Sequence, residues 1–399
     1  MNTTVDSTPP TDMKRVLWLL SSPDNQDSIL GNIGPNWYAS VMGTGIIATA
    51  GATLPIHILG MKTFTLGVWV FASVLLVLLI IATALHWIRH PQVARAHGRD
   101  ANMAQFYGAP PMALLTVGAG SVLVGKYLLG SRIAVDLDWV LWSLGTVLGI
   151  TTAIWIPFRL FTQIKVSPDA AFGGWLMPIV PPMVSAATGA LLIQHVASQN
   201  GRELLLYSLF AMFGMSLVPS FIVITLIWSR LAYYGTTGSA RVPTLWIVLG
   251  PLGQSITAVG LLGANAHIAL SAPLANAFSI FRILFGIPVW GFAILWIALA
   301  TSLTVRTARK KLPFALTWWS FTFPVGTFVT GTTQLAIATN LGALRIGAVI
   351  AYSGLLFAWL LVAIRTAINS ATGELFKKPL PTAPTPKPLK EELGPLTYT

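Results

Sequence analysis

Twelve acidic residues, six histidines and no cysteine are the groups with which this 399-residue chain could do covalent, metal or proton chemistry. No His, Asp or Glu cluster has the spacing of a metal site, and no nucleophile in an apolar stretch has a base beside it. The missing cysteine excludes thiol catalysis, disulfides and iron–sulfur clusters. The acids fall in polar segments, with Asp136 and Asp138 just ahead of an apolar run that begins near 139. Neither a proton-carrying carboxylate within the membrane nor an acidic ring for cations is therefore expected. No cofactor and no metal is implied. One basic residue stands apart: Arg282, in FSIFRILFG, is flanked by apolar side chains. Its guanidinium could grip a dicarboxylate in bidentate fashion, or reach for a nearby interface.

Neutral polar residues remain, and they recur in similar settings. PNWYASVMGTGIIATAG, residues 35–51, places Asn36, Ser40, Gly43, Thr44 and Gly45 in or beside an apolar run. GAPPMALLTVGAG holds Pro111 and Thr116, and LMPIVPPMVSAATG holds Pro182, Ser185 and Thr188. LGPLGQSIT carries Pro251, Gln254 and Ser255, and WWSFTFPVGTFVTGTTQ carries Phe321, Phe323, Pro324, Thr327 and Thr330. A hydroxyl-rich, uncharged lining suits an anion that must pass through rather than stay. Gly43 and Gly45 suit a backbone that comes close to a permeant or to a neighbouring helix. Thr44 either offers a hydroxyl there or bonds back to its own helix.

These stretches need a membrane around them. Apolar residues make up 54% of the chain and charged residues 9%, against about 25% charged in a soluble protein. The expected fold is an all-α integral membrane protein with ten transmembrane helices paired as five hairpins. Spans of about 20 apolar residues fall near 36–55, 64–87, 109–130, 139–161, 175–197, 204–228, 243–267, 276–301, 314–339 and 344–365. Residues 1–35 form an N-terminal segment in which MKRVLWLL, 13–20, is too short to span and lies along the surface. Residues 36–366 form the transmembrane domain, and the proline-rich tail 367–399 is expected to be disordered. No cleavable signal peptide is apparent.

Of the 24 Lys and Arg, Arg282 falls inside a span, and Lys62, Lys126, Arg132, Arg202 and Arg345 fall on one side. All the others lie on the side of the termini, which the positive-inside rule places in the cytoplasm of a plasma (inner) membrane protein. The net charge of +12 reflects this bias rather than a nucleic-acid surface. The odd-numbered helices carry the prolines and polar residues listed by motif above. Proline inside a helix frees a carbonyl and kinks the chain, and lipid tolerates that only where protein or a wet cavity covers it. The odd helices are therefore expected to face inward around a central pore, with the even helices as a supporting wall.

PNWYASVMGTGIIA resembles the first-helix signature of the tellurite-resistance/dicarboxylate transporter family, which includes fungal malate permeases, sulfite exporters and plant slow anion channels. The similarity continues in order through GAPPMALLTVGAG, WLMPIVPPMVSAATG, VLGPLGQS and WWSFTFPVGT. The resemblance implies a quasi-fivefold bundle of hairpins, a central anion pathway in each subunit and a homotrimer. It also implies a phenylalanine plug on the ninth helix, for which Phe323 beside Pro324 is favoured over Phe321.

Four odd helices end near His57, Lys126, His195 and His267, which form a positive collar at the outer entrance or simply anchor polar tips in the interface. In the first case, histidine protonation near pH ~6.5 favours uptake from acid. The expected partners are a small anion and membrane lipid. The expected function is anion transport, with C4-dicarboxylates such as malate or succinate first. The alternative is an uncoupled gated channel or an exporter for sulfite, tellurite, chloride or nitrate. A membrane enzyme lacks a catalytic set.

Overall fold

A computed structural model describes residues 29–236, 238–310 and 312–376. The surface segment expected at 13–20 and the tail from 377 lie outside the described residues. Among the described residues, and apart from the short helix Pro91–His97, the bundle helices in chain order are α1 (Tyr38–Thr53), α2 (Met61–Arg89), α3 (Met103–Leu129), α4 (Ser131–Thr162) and α5 (Pro181–Gly189). They continue as α6 (Gln199–Tyr234), α7 (Ser239–Ala269), α8 (Ala272–Ala308), α9 (Phe323–Thr339) and α10 (Gly342–Ala371). No strand occurs among the described residues. α10 runs past the boundary expected at 366, and Phe376 beyond it stacks on Trp37 with ring centres 5.3 Å apart.

The odd helices touch in the order α1, α3, α5, α7, α9, and α9 returns to α1, which closes a ring. Burial follows this division. In their most apolar stretches α3 and α7 are 72% and 89% buried, whereas the five even helices are 22–33% buried. In α1 only Ala52 and Thr53 escape full burial, and in α5 only Thr188 does. An inner ring inside a lipid-facing wall is thus the architecture.

Among the described residues, seven helices are long and apolar enough to cross a membrane by themselves; α1, α5 and α9 are not among them. These three have 16, 9 and 17 residues, or about 24, 14 and 26 Å of helix, against a hydrocarbon core of about 30 Å. Exposed to lipid, their irregular ends would leave backbone groups unsatisfied. All three belong to the inner ring, where protein covers them.

The prolines do something other than expected. A 3-10 segment precedes the α-helical part of every odd helix: Pro35–Trp37, Met103–Gly108, Gly173–Leu176, Ser239–Val248 and Leu316–Phe321. Pro111, Pro182 and Pro324 sit in the first turn after these segments, and Pro251 is the third residue after the junction at Leu249. Pro182 and Pro324 stand in the first turn of α5 and α9, where a helix loses little by lacking an N–H, while Pro111 and Pro251 stand where 3-10 winding gives way to α-helix inside α3 and α7. Among the described residues, prolines inside helices are Pro157, Pro219 and Pro288 on the outer wall and Pro243 in the 3-10 part of the inner helix α7.

Two devices hold the layers together. Lipid gives little hydrophobic drive between helices, so close packing of small residues matters. A methyl at Gly43 would fall 2.2 Å from the Thr322 hydroxyl, and one at Gly45 would fall 2.8 Å from Thr116 Cγ2. The glycines of the first helix therefore admit α9 and α3. At Gly253 a methyl would meet the Thr327–Phe328 backbone at 2.4 Å. The second device is the tryptophan N–H. Trp69 of α2 donates to Val117 O of α3 (2.9 Å), and Trp142 of α4 donates to Ser185 O of α5 (2.9 Å). Trp290 of α8 donates to Thr332 of α9 (3.0 Å), and Trp359 of α10 donates to Thr44 of α1 (3.1 Å). In each case an outer helix grips the inner helix of the next hairpin.

Gly253→Ala should destabilise the protein by about 1–3 kcal/mol, because the overlap is with backbone that cannot rotate away. Gly250→Ala, with nothing within 4 Å of the new methyl, should leave thermal unfolding in detergent unchanged. Equal melting temperatures for the two variants would refute the close α7–α9 approach.

Candidate functional site

The inner ring encloses a narrow cavity of about 60 Å³ whose sixteen lining residues all come from the five odd-numbered hairpin arms. The contributing faces share one spacing. Ile46, Thr49 and Thr53 of α1, Thr116, Ala119 and Leu123 of α3, and Gln254, Thr257 and Leu261 of α7 each follow a three-then-four step. Val184 and Ala187 of α5 continue to Leu191 in the turn beyond it, again three then four. This step keeps side chains on one helical face. α9 supplies Thr330 and Gln334, with Phe323 two turns earlier, about 10 Å along the axis. Phe323 is 2% exposed and lines the cavity from the start of α9.

No ionisable side chain lines this space. Thr116 donates to Met112 O (2.6 Å), Thr188 to Val184 O (2.9 Å) and Thr53 to Thr49 O (2.9 Å). Thr257 and Thr330 lie 2.7 Å apart across α7 and α9. Each hydroxyl has one proton, so the threonines show the cavity mostly oxygen lone pairs. Gln254 and Gln334 differ, since neither side chain bonds to a described residue although both line the cavity. Their amide N–H groups are the donors left for a negative solute. The five inner helices also run parallel, which gathers the positive ends of their dipoles at the Phe323 end. Outside the spans at that end, His97 stacks on His86 at 5.3 Å. Burial pushes the His97 imidazole below its usual range, and His86 adds to this while Asp100 opposes it.

The cavity brings together five of the residues singled out from the sequence: Thr116, Thr188, Gln254, Thr330 and Phe323. The others serve elsewhere. Asn36 lies in the entry turn before α1, and Ser40 bonds back to Trp37 O at 2.7 Å. Gly43 and Gly45 are packing contacts, and Thr44 faces α10 as the acceptor for Trp359. Ser185 accepts from Thr146 of α4 at 3.0 Å, and Ser255 bonds to Leu252 O at 2.8 Å. Thr327 donates toward Leu249 O of α7 at 3.0 Å. Phe321 leaves the cavity altogether and packs edge-on against Trp246 and Trp318. Arg282 is half-buried against Gly263 of α7 and does not line the cavity. His57, Lys126, His195 and His267 are exposed near the C-terminal ends of α1, α3, α5 and α7, and none lines the cavity.

Thr49, Thr53, Thr257 and Gln334 were not singled out from the sequence. The signal was there: each follows a chosen or apolar lining residue by three or four positions on the same face. One acid also moves. α4 begins at Ser131, eight residues before the expected start, so Asp138 lies inside the helix and is fully buried.

A family model described as SLAC1, voltage-dependent anion channel, matches residues 32–367. The chain belongs to this family. An uncharacterized transporter of Methanocaldococcus jannaschii is 26% identical over 90% of this chain and 99% of its own length. The sulfite efflux pump SSU1 of Trichophyton rubrum is also 26% identical, over 87% of this chain and 93% of the pump. The malic acid transport protein of Schizosaccharomyces pombe is 20% identical, over 75% of this chain and 70% of that protein.

The absence of native cysteine makes the lining directly testable. Thr49→Cys should react with a small charged thiol reagent from the aqueous phase and be protected by a permeant anion. Thr44→Cys, on the opposite face of the same helix, should stay unlabelled. Labelling of residue 44 in preference to 49 would reverse the assigned face of α1.

Proposed function

We propose that the chain carries small anions through the centre of the inner ring, and that the structure is the closed state, with the Phe323 ring as the gate. The observation that carries this reading is the cavity itself: uncharged, built solely from the parallel inner helices, holding two unbonded amides and lined by an aromatic ring. Neutral donors bind an anion weakly enough to release it, as passage requires. Parallel helix dipoles supply positive potential without a fixed cation.

Small oxoanions of the size of sulfite are the first substrates we propose. The narrow space of about 60 Å³ has room for roughly four to six water positions, enough for a small oxoanion that sheds part of its water. The long match to a sulfite efflux pump supports the same order. A C4-dicarboxylate such as malate is the second reading, supported by the match to a malic acid transport protein. It requires the cavity to widen along with the gate. In this reading the chain sits in the plasma membrane with both termini in the cytoplasm, supported by the bias of its basic residues. It works as a homotrimer of independent pathways, and native mass spectrometry tests that stoichiometry.

Reconstituted vesicles decide the main points. Phe323→Ala should raise sulfite flux several-fold, whereas Phe321→Ala should leave it at the wild-type level. Unchanged flux in Phe323→Ala would remove the gate. Malate flux that equals or exceeds sulfite flux in the wild type would reverse the substrate order.

A further inference from the structure

Asp138 is the one acid among the described residues that is completely buried, at 0% exposure. Neither of its carboxyl oxygens has a hydrogen-bond partner. Its place is made by a glycine: a methyl on Gly118 of α3 would lie 2.5 Å from Asp138 Oδ1. Ser121 Oγ of α3 lies 2.7 Å from both Gly118 O and Ala134 O, the latter one turn before Asp138, and so ties α3 to α4 beside the carboxyl. The charged groups on the packed elements at the Asp138 end are Lys62 of α2, Lys126 of α3, and Arg132 and Asp136 of α4; His86 and Arg89 of α2 and Arg159 of α4 lie roughly five turns or more further along those helices. The first four are exposed, and none bonds to Asp138. The neighbouring α1 and α5 carry no charged side chain.

A carboxylate sealed from water and from donors is expensive to ionise. In the closed seam the side chain is therefore held as the neutral acid, and ionisation requires water to enter between α3 and α4. The far side of the same stretch of α3 faces the cavity. Ala119 follows Gly118 directly, and Leu123 belongs to the π-helical turn Ser121–Gly125. Such turns are weak points in a helix and mark functional sites in many proteins.

We propose that Asp138 is a proton-binding site that sets the position of α3, and through Ala119 and Leu123 the width of the anion pathway. Protonated, it keeps the seam shut and the cavity narrow. When the solution at the α3–α4 turn becomes alkaline, the carboxyl gives its proton to entering water, the seam opens, and anion passage increases. The inference rests on the pathway proposed above, and it gives pH the opposite sign from a histidine collar, which acid would strengthen.

Two measurements test it. Infrared difference spectra of the reconstituted protein should show the carbonyl band of a protonated carboxyl at neutral pH. That band should disappear at alkaline pH in the wild type and be missing in Asp138→Asn. A wild-type spectrum without such a band at neutral pH would overturn the site, whether or not the protein moves anions. Asparagine mimics the neutral acid, so the ratio of wild-type to Asp138→Asn sulfite flux should rise several-fold from acid to alkaline pH. Any histidine effect is common to both proteins and cancels in that ratio. A constant ratio would overturn the coupling. Vesicles that pass no anion yet retain the band would sink the transport reading and leave the proton site standing.

Discussion

The inner ring depends on the grip that four outer-wall tryptophans exert through their indole N–H groups. Three inner helices are too short to span a membrane unaided, and their ends carry 3-10 turns that lipid would not satisfy. Something must hold them at depth, and apolar contact cannot, because lipid tails compete equally for apolar surface. A directed hydrogen bond in a low-dielectric setting can. Trp69, Trp142, Trp290 and Trp359 each reach across to the helix of the next hairpin, so these four bonds join separate hairpins, while Trp296 of α8 donates to Leu245 O within its own. Glycine then sets the distance. The close approaches at Gly43, Gly45 and Gly253 are the counterpart of that grip, since a side chain there would push the ring apart.

This arrangement explains the chemistry of the cavity. A lining assembled from parallel helices with no ionisable group gives an anion no deep well to fall into. The threonines, with their protons turned to their own backbone, act more as smooth polar wall than as ligands. In the pathway proposed above, attraction comes from two amides and from the summed dipoles, both modest and both free of a counter-ion that would have to be displaced. Selection in such a conduit follows size and dehydration more than charge recognition.

The broad plan was legible in the sequence, because proline, glycine and hydroxyl residues cluster together in the five alternate apolar runs that form the inner ring, whereas the outer helices carry isolated prolines such as Pro157, Pro219 and Pro288. Helix edges were less legible. Counting apolar residues put the start of the fourth helix near 139, and the first turns from Ser131 include Arg132, Asp136 and Asp138. A charge-poor window cannot see that a glycine on another helix has made room for an acid. Side-chain direction was the other blind spot. Thr44 and Thr49 look alike in sequence, yet they are five residues apart and so point to different sides of α1, one to Trp359 and one to the cavity. Phe321 and Phe323 part for a similar reason, since the first belongs to the 3-10 turn and the second to the α-helix.

The ring closes between the two ends of the transmembrane chain. Thr44 accepts from a tryptophan 315 residues away, and Ile47 O accepts from Tyr352, 305 residues away. During biosynthesis the first helix therefore enters the membrane long before its partners exist. Its polar groups must wait, shielded by its own hairpin or by the insertion machinery, until the ribosome has delivered the last hairpin. Assembly of the conduit is thus a late event that depends on non-local pairing, and a lesion near residue 359 would act on the first helix as surely as one near residue 44.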